Sequence, residues 1–274
     1  MKWSRDIFTL LRWGTWFYVA CVLLFLITPL LVVIPAAFSD STLLQFPPEH
    51  WSTRWFEKYL SSPDWMVATW NSFKVAVAVS ILATSLGLTS AIVLVRFRFI
   101  GRNALRAVIL APLIVPVIVT AVAIYYFILQ IGWAGNLWAL ILSHTVVTYP
   151  YATVVISSAL AEFDQRLEDA AVGLGASRVR AFFEVSLPII RPAVIVSFLF
   201  AFLLSLDEVV ITIFVSGPET MTLSRRLWDG VRFELEPTIA AVSTCLIVTS
   251  SVIVLAAELL RHFLMGRVKV SARR

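Results

Sequence analysis

Six long apolar blocks restrict the fold of this chain more than any other feature of its sequence. They cover residues 16–38, 66–95, 107–129, 137–159, 193–215 and 238–260. Each reaches the roughly 20 residues that a helix needs to span the ~30 Å hydrocarbon core of a bilayer. The blocks are apolar on both faces, whereas the strands of a membrane barrel alternate with period two over ~10 residues. We therefore predict an all-α, polytopic membrane protein with six transmembrane helices.

The distribution of basic residues predicts how these helices are oriented. Of the 22 Lys and Arg residues, sixteen fall on the side of the two termini, five fall on the opposite side, and Lys74 lies inside a block. Cytoplasmic loops carry the excess of Lys and Arg, so both termini are predicted to be cytoplasmic. The net charge of +5 is thus explained by topology, and we expect no nucleic-acid partner.

The chain is predicted to have one membrane domain with short flanking segments. Residues 1–15 form a cytoplasmic or interfacial segment, residues 16–260 form the domain, and residues 261–274 form a basic cytoplasmic tail. The first block is longer than the ~7 to 15 apolar residues of a signal peptide, so we expect it to stay as an anchor. Cys21 and Cys245 both fall inside blocks and are interpreted as packing residues.

A charged loop between the fourth and fifth blocks, residues 160–192, stands out from this apolar background. It contains the stretch LEDAAVGLGASRVRAFFEVSLPIIRP. Gly173 and Gly175 permit a turn between two helix-favouring segments, and Pro188 and Pro192 suit the first turns of the following span. The pattern predicts two short cytoplasmic helices joined by a glycine turn.

The spacing of this loop resembles a known family motif. Asp169-Ala170-Ala171, three residues, Gly175, nine residues and Val185-Ser186-Leu187-Pro188 are similar to the EAA loop of permease subunits from binding-protein-dependent ABC importers. Asp169 stands where the family has Glu, and Val185 where it has Ile. The resemblance implies that the loop docks into a separate ATP-hydrolysing subunit. The implied coupling residues are Glu168, Asp169, Ala170, Ala171, Gly175, Ala176, Ser177, Leu187 and Pro188.

The same resemblance implies a fold, a location and a set of partners. The fold is that of a type I ABC importer permease, in the bacterial inner membrane. The implied partners are two copies of an ABC ATPase, a second, different permease, a periplasmic or lipid-anchored solute-binding protein and membrane lipids. The chain has no phosphate-binding G-x-x-x-x-G-K-[ST] motif, and its three histidines are scattered. We therefore expect no catalytic site, no metal and no cofactor on this chain, with ATP and Mg²⁺ bound by the partner ATPase.

Two further stretches resemble the spermidine/putrescine group of these permeases, second-permease type. They are WNSFKVA, at the start of the second block, and SLDEVVITIFVSGPETMTLSRRLWDGVRFELEPTIAAVST. This resemblance implies a polyamine or a related cationic amine as the solute. Relatives for other small solutes, amino-acid-like, opine-like or phosphonate, share its GP and TIAA neighbourhoods, so those solutes stay open.

Four ionisable residues fall at one depth in the predicted spans, seven or eight residues from their outer ends. They are Lys74, His144, Asp207 and Glu208. Ionisable groups in hydrocarbon are costly and normally face a bundle interior or a wet cavity, so we predict that they line a translocation path. Asp207 and Glu208 are expected ~100° apart on one helix. The alternative is a structural ion pair between Lys74 and one of the acids.

The outer segment PETMTLSRRLWDGVRFELEP, residues 218–237, precedes the sixth block. It is a candidate docking surface for a solute-binding protein, with a solvated loop as the alternative. Its candidate residues are Trp228, Arg225, Arg226 and Arg232. An ion-coupled secondary transporter would predict inverted repeats and unwound half-helices, and no internal repeat is evident. A purely structural scaffold would leave the Asp169 to Pro188 motif and the intramembrane charges without a purpose.

Overall fold

The computed structural model describes residues 2–43, 45–233 and 236–271, with side chains described for residues 11–43, 45–233 and 236–259. Over these residues the chain is helical and forms no β-sheet. The helices are α1 (Lys2–Ala36), α2 (Arg54–Ser61), α3 (Pro63–Arg96), α4 (Arg102–Ile114), α5 (Val117–Gln130), α6 (Leu137–Glu162), α7 (Arg166–Gly173), α8 (Arg178–Ala181), α9 (Leu187–Asp207), α10 (Val210–Val215), α11 (Leu223–Phe233) and α12 (Thr238–Ser271). The predicted all-α fold is confirmed.

Within the part of the chain that the structure describes, five helices are long and apolar enough to cross a membrane. They are Leu11–Ala36, Pro63–Arg96, Leu137–Glu162, Arg178–Asp207 and Thr238–Leu259. A sixth span results if α4 and α5 are counted together, although they meet at an angle of 105°. The third predicted span, residues 107–129, therefore consists of two helices joined at a sharp bend.

Pro116 explains the break between α4 and α5. Proline has no N–H to donate to the preceding turn, and it disfavours the helical conformation in the residue before it. Val115 accordingly adopts an extended conformation, with φ −72° and ψ 132°. Pro112 lies inside α4 without ending it, so only one of the two prolines in this block breaks the chain direction.

The fifth predicted span, residues 193–215, is also interrupted. Helix α9 ends at Asp207, Glu208 is extended with ψ 105°, and α10 begins at Val210. Asp207 and Glu208 therefore do not sit ~100° apart on one helix as predicted, because the helix ends between them. The break lies within an apolar segment, where backbone polar groups need protein or water as partners.

The chain divides into two compact units. The first comprises Met1–Ser62 and Asp229–Ile247, and the second comprises Pro63–Trp228 and Val248–Arg274. In the first unit, Ala37 and Trp55 pack with Ala240 and Ala241. Lys58 forms an ion pair with Glu236 in the same unit.

The core of the second unit is built on α3, α6 and α9. Small residues line the buried face of α3, which lets the neighbouring backbone approach closely. A Cβ atom added at Gly87 would lie 2.7 Å from the Cβ of Ala152 on α6, closer than real Cβ atoms approach. A second cluster, containing Val75, Leu140 and Ile211, packs α3 and α6 against α10. These contacts fix the helices that carry the candidate site.

Candidate functional site

The charged loop folds as the sequence predicted. Helix α7 ends at Gly173, and Gly175 follows with φ +98°, a left-handed conformation that favours glycine. The Gly175 N–H donates to the carbonyl of Val172 at 2.9 Å. Ser177 caps α8 by accepting from the N–H of Arg180 at 3.2 Å. The predicted helix, glycine turn and helix are therefore confirmed.

A π-helical turn, Phe182–Ser186, joins α8 to α9. The apolar helix consequently runs from Arg178 to Asp207 as one long element. Pro188 falls within it, and a π turn accommodates the hydrogen bond that proline cannot make. The second half of the loop is thus a direct extension of the fifth span.

The first half of the loop is tied to the end of α3 by a buried ionic cluster. Arg96, the last residue of α3, forms an ion pair with Glu168 of α7. Its Nη2 also donates to Ser186 Oγ at 3.1 Å, and the Ser186 hydroxyl donates to the Glu168 carboxylate. The sequence pattern identified Arg96 only as a cytoplasmic positive charge, so its partner was not predicted.

The environment of Glu168 favours its ionised form. Burial raises the pKa of this carboxyl, but hydrogen bonds from Arg96 and Ser186 and the positive charges of Arg96 and Arg178 outweigh burial and hold the pKa below its usual value. An ionised Glu168 keeps the ion pair intact at neutral pH.

The loop also carries exposed apolar side chains. Leu174, in the turn, is 91% exposed, and Leu167, Val179 and Phe183 are also exposed. The motif residues Asp169 and Ala170 of the same loop are exposed as well. Exposed apolar side chains next to polar ones on one short segment are typical of a protein interaction site.

Three of the four predicted intramembrane residues, His144, Asp207 and Glu208, lie at the break between α9 and α10. Asp207 is exposed at the end of α9, and Glu208 is partly buried at the break itself. One Glu208 carboxylate oxygen accepts from the N–H of Ile211 at 3.0 Å. This bond caps the first turn of α10, so Glu208 is held at the interruption.

His144 of α6 joins the two sides of this break. Its side chain is completely buried. Its Nδ1 lies 3.1 Å from Ser205 Oγ on α9, and its Nε2 lies 3.0 Å from Thr212 Oγ1 on α10. In this conformation His144 therefore links α9 and α10 from the buried side of the break, whereas the Asp207 side chain is exposed.

Lys74 is half-buried on α3. Among the described residues it has no carboxylate within the 4.0 Å of an ion pair. The alternative of a Lys74 to acid pair is thus not observed in this conformation. Within the same described part of the chain, no group of three or more His, Cys, Asp or Glu side chains could hold a metal ion.

The candidate docking residues differ in what they contact. Arg225 Nη1 donates to the carbonyl of Ser216 at 2.7 Å, and the Arg226 guanidinium lies 5.4 Å from the centre of the Trp65 ring. Trp228 and Arg232 are exposed. Arg225 and Arg226 therefore support the outer segment, whereas Trp228 and Arg232 present accessible side chains.

Asn71 and Ser72 hold the outer segment to α3, a role that the sequence did not predict. The Asn71 amide donates to the carbonyls of Glu219 and Met221 at 2.8 and 3.2 Å. Ser72 Oγ accepts from the N–H of Leu223 at 2.7 Å. The stretch WNSF, which carried the resemblance to a permease group, thus contains two of the residues that fix this segment.

Known proteins share sequence similarity with most of this chain. Residues 83–270 match the family described as "Binding-protein-dependent transport system inner membrane component". The chain is 37% identical over 230 residues to the putrescine transport system permease protein PotI of Escherichia coli, covering 81% of this chain and 82% of that protein. It is 32% identical over 237 residues to the spermidine/putrescine transport system permease protein PotC of Haemophilus influenzae, covering 86% and 91%.

Solved structures show the same fold. A chain of a bacterial alginate ABC transporter, in complex with an alginate pentasaccharide-bound periplasmic protein, matches with a TM-score of 0.71 at 17% identity, covering 90% of this chain and 92% of that one. A chain of the MetNI methionine ABC transporter in an inward-facing conformation matches with a TM-score of 0.59 at 18% identity, covering 72% and 94%. The chain therefore belongs to the family of binding-protein-dependent transport system inner membrane components, as a multi-pass permease subunit that is not itself an enzyme.

Proposed function

We propose that this chain forms, with a second permease, the translocation path of an ATP-driven importer for a polyamine or a related cationic amine. The observation that carries the proposal is the placement of two carboxylates, Asp207 and Glu208, at a helix break within an apolar span. The names of the relatives, putrescine and spermidine/putrescine permeases, support the same solute class.

The chemistry of the break suits a cation. Non-helical backbone at membrane depth is tolerated where it is buried in protein or lines a water-filled cavity. Within the described residues, neither Asp207 nor Glu208 has a basic partner within 4.0 Å. A carboxylate in a partly desolvated cavity attracts an ammonium group more strongly than it does in bulk water. We assign Asp207 and Glu208 to the path surface and His144 to the support behind it.

Lys74 contributes the opposite charge to the same proposed path. Its ammonium group is carried by a half-buried side chain on α3. For a cationic solute, it would limit how long the solute stays bound near the acids. For an anionic solute, it would instead be the binding group, which makes Lys74 the residue that distinguishes the two solute classes.

The charged loop is proposed to dock on the cytoplasmic ATPase, of which the transporter would contain two copies holding ATP and Mg²⁺. Support comes from the exposed apolar side chains on the same loop as Asp169 and from the buried link between α7 and α3. The proposed docking residues include Asp169, Ala170, Ala171, Ala176 and Ser177, and Leu187 and Pro188 lie where the loop enters α9. No cofactor is assigned to this chain.

The outer segment is proposed to receive the solute-binding protein. Trp228 and Arg232 offer an aromatic and a cationic side chain on the surface. Arg225 and Arg226 hold the segment in place through Ser216 and Trp65.

Transport in reconstituted vesicles tests the proposal. The complete transporter, with its ATPase, its second permease and its binding protein, is expected to import labelled putrescine or spermidine only when ATP is present on the ATPase side. Unlabelled polyamine should compete, whereas an amino acid or a phosphonate should not. Competition by one of those solutes, without competition by polyamine, would contradict the cationic assignment while leaving the permease assignment intact.

A further inference from the structure

A cavity of about 250 Å³ lies between the ends of α3, α4 and α6. Its polar lining includes Arg102, Arg106, Ser157 and Ser158, and its apolar lining includes Leu94 and Leu110. All of these side chains are remote in sequence from the acids at the α9 to α10 break. The cavity thus combines two cationic groups, hydroxyls and a hydrocarbon surface in one place.

The polar side of the cavity is built to receive an anion. Arg102 and Arg106 are four residues apart on α4, so their guanidinium groups lie on one helix face. Among the described residues, neither forms an ion pair with a carboxylate. Ser157 Oγ is buried and has no hydrogen-bond partner in the described part of the chain. A buried hydroxyl without a partner is costly, so this one is available to a bound acceptor.

The position of the cavity identifies where such an anion would come from. Leu94 is two residues from the end of α3, Arg102 begins α4, and Ser157 is five residues from the end of α6. At ~1.5 Å per residue, Ser157 lies roughly 8 Å inside the end of its helix. With the end of α6 in the head-group region, this depth would correspond to the boundary between lipid head groups and acyl chains. Basic pockets between transmembrane helices on the cytoplasmic side bind anionic lipid head groups.

We propose that this cavity binds the phosphodiester head group of an anionic membrane lipid. Arg102 and Arg106 bind the phosphate oxygens, and the Ser157 hydroxyl donates to one of them. The acyl chains leave along the apolar lining formed by Leu94 and Leu110. The lipid would hold α4, after which the chain bends at Pro116, against α3 and α6. This inference does not depend on which solute is transported.

Photo-crosslinking in nanodiscs tests the lipid site. The complete transporter is placed in phosphatidylcholine containing a small fraction of photoactivatable phosphatidylglycerol, and labelled peptides are mapped by mass spectrometry. Labelling is expected on residues 102–114 and 153–161. Arg102→Gln with Arg106→Gln should lower it roughly tenfold or more, because each basic group near an anionic lipid contributes to its binding. Arg12→Gln with Arg191→Gln removes the same charge elsewhere and should leave labelling unchanged.

Two further arms separate binding at this site from non-specific labelling and from binding of free phosphate. Arg102→Lys with Arg106→Lys keeps the positive charge and should retain most of the labelling. If the glutamine double variant fails to fold, this lysine double variant still tests the lipid site, and loss of its labelling would contradict the proposal. Unlabelled phosphatidylglycerol should compete, whereas inorganic phosphate should not. Equal labelling by a phosphatidylcholine probe, competition by inorganic phosphate, or equal loss in the Arg12 and Arg191 control would overturn the proposal. Absence of labelling because the second permease covers the cavity would also overturn it.

Discussion

Arg96, at the end of α3, forms a buried ion pair with Glu168 of α7, and Ser186 donates a hydrogen bond to the same carboxylate. The side chains of Arg96 and Glu168 are only 13% and 9% exposed. Helix α3 in turn packs along α6 and α9. A displacement of the loop would therefore reach the core of the second unit through this pair as well as through the direct extension into α9.

Neutralising Glu168 should destabilise the protein more than neutralising an exposed acid of the same loop. Glu168→Gln leaves Arg96 buried without its counter-charge, for which we expect a cost of about 3 kcal/mol. The matched control is Glu184→Gln, which breaks the exposed pair with Arg180 and should cost less than about 1 kcal/mol. Thermal unfolding in detergent compares the two. Equal losses of stability would show that the buried pair has no special role.

The coupling between the two partners can be measured separately. The double variant Arg96→Gln with Glu168→Gln should lose less stability than the two single variants lose in sum. Substitutions of residues in direct contact do not have additive effects on the free energy of unfolding. ATP hydrolysis by the assembled transporter should continue in this double variant while uptake falls. Additive losses of stability would contradict a direct interaction.

Acid should weaken the link between α7 and α3. The folded-state pKa of Glu168 is lowered from its usual value of 4.5. Its contribution to stability is therefore fully present above that value and is lost as pH falls through the lower folded-state pKa. Thermal unfolding of the wild type and of Glu168→Gln is compared from neutral to acidic pH. The wild type should be the more stable of the two, and its advantage should shrink only at the acid end. An advantage that grows as the pH falls would contradict the lowered pKa.

The glycine turn should be required for docking of the ATPase. Gly175→Val places a β-branched residue at φ +98°, which we expect to cost about 1–2 kcal/mol and to distort the turn. Gly173→Val, at a helical position with open space around it, is the matched control. Asp169→Lys reverses a surface charge and should also weaken binding of the ATPase. Co-purification measures the result, and normal recovery of the ATPase with Gly175→Val and Asp169→Lys combined would contradict the docking role.

His144 should support the break without taking part in solute choice. His144→Leu removes the ring that contacts Ser205 and Thr212, and we expect a loss of about 1–3 kcal/mol because it leaves buried hydroxyls without this partner. Uptake should fall for all solutes in proportion to the amount of folded protein. A change in the ratio of putrescine to spermidine uptake would instead place His144 on the path surface.

Much of this architecture follows from local sequence, and the remainder depends on contacts that are distant along the chain. Apolar blocks and glycine positions predicted the spans and the helix, turn and helix of the loop, because hydrophobic length and φ preferences are local properties. The pairing of Arg96 with Glu168 joins residues 72 positions apart, and one sequence carries no signal for it. The end of α9 at Asp207 was also missed, since the surrounding stretch LLSLDEVVITIF is mostly apolar and contains no proline or glycine.

Uptake of labelled putrescine or spermidine by Asp207→Asn, Glu208→Gln and Lys74→Met in the reconstituted transporter most directly tests the proposed cation path. The first two variants keep size and hydrogen bonding while removing negative charge, and at least one should lose most polyamine uptake because the attraction for a cation is lost. Lys74→Met should have a smaller effect once uptake is normalised to folded protein. Full uptake in both acid variants, together with no uptake in a well-folded Lys74→Met, would contradict the cation path and assign an anionic or amino-acid-like solute to it.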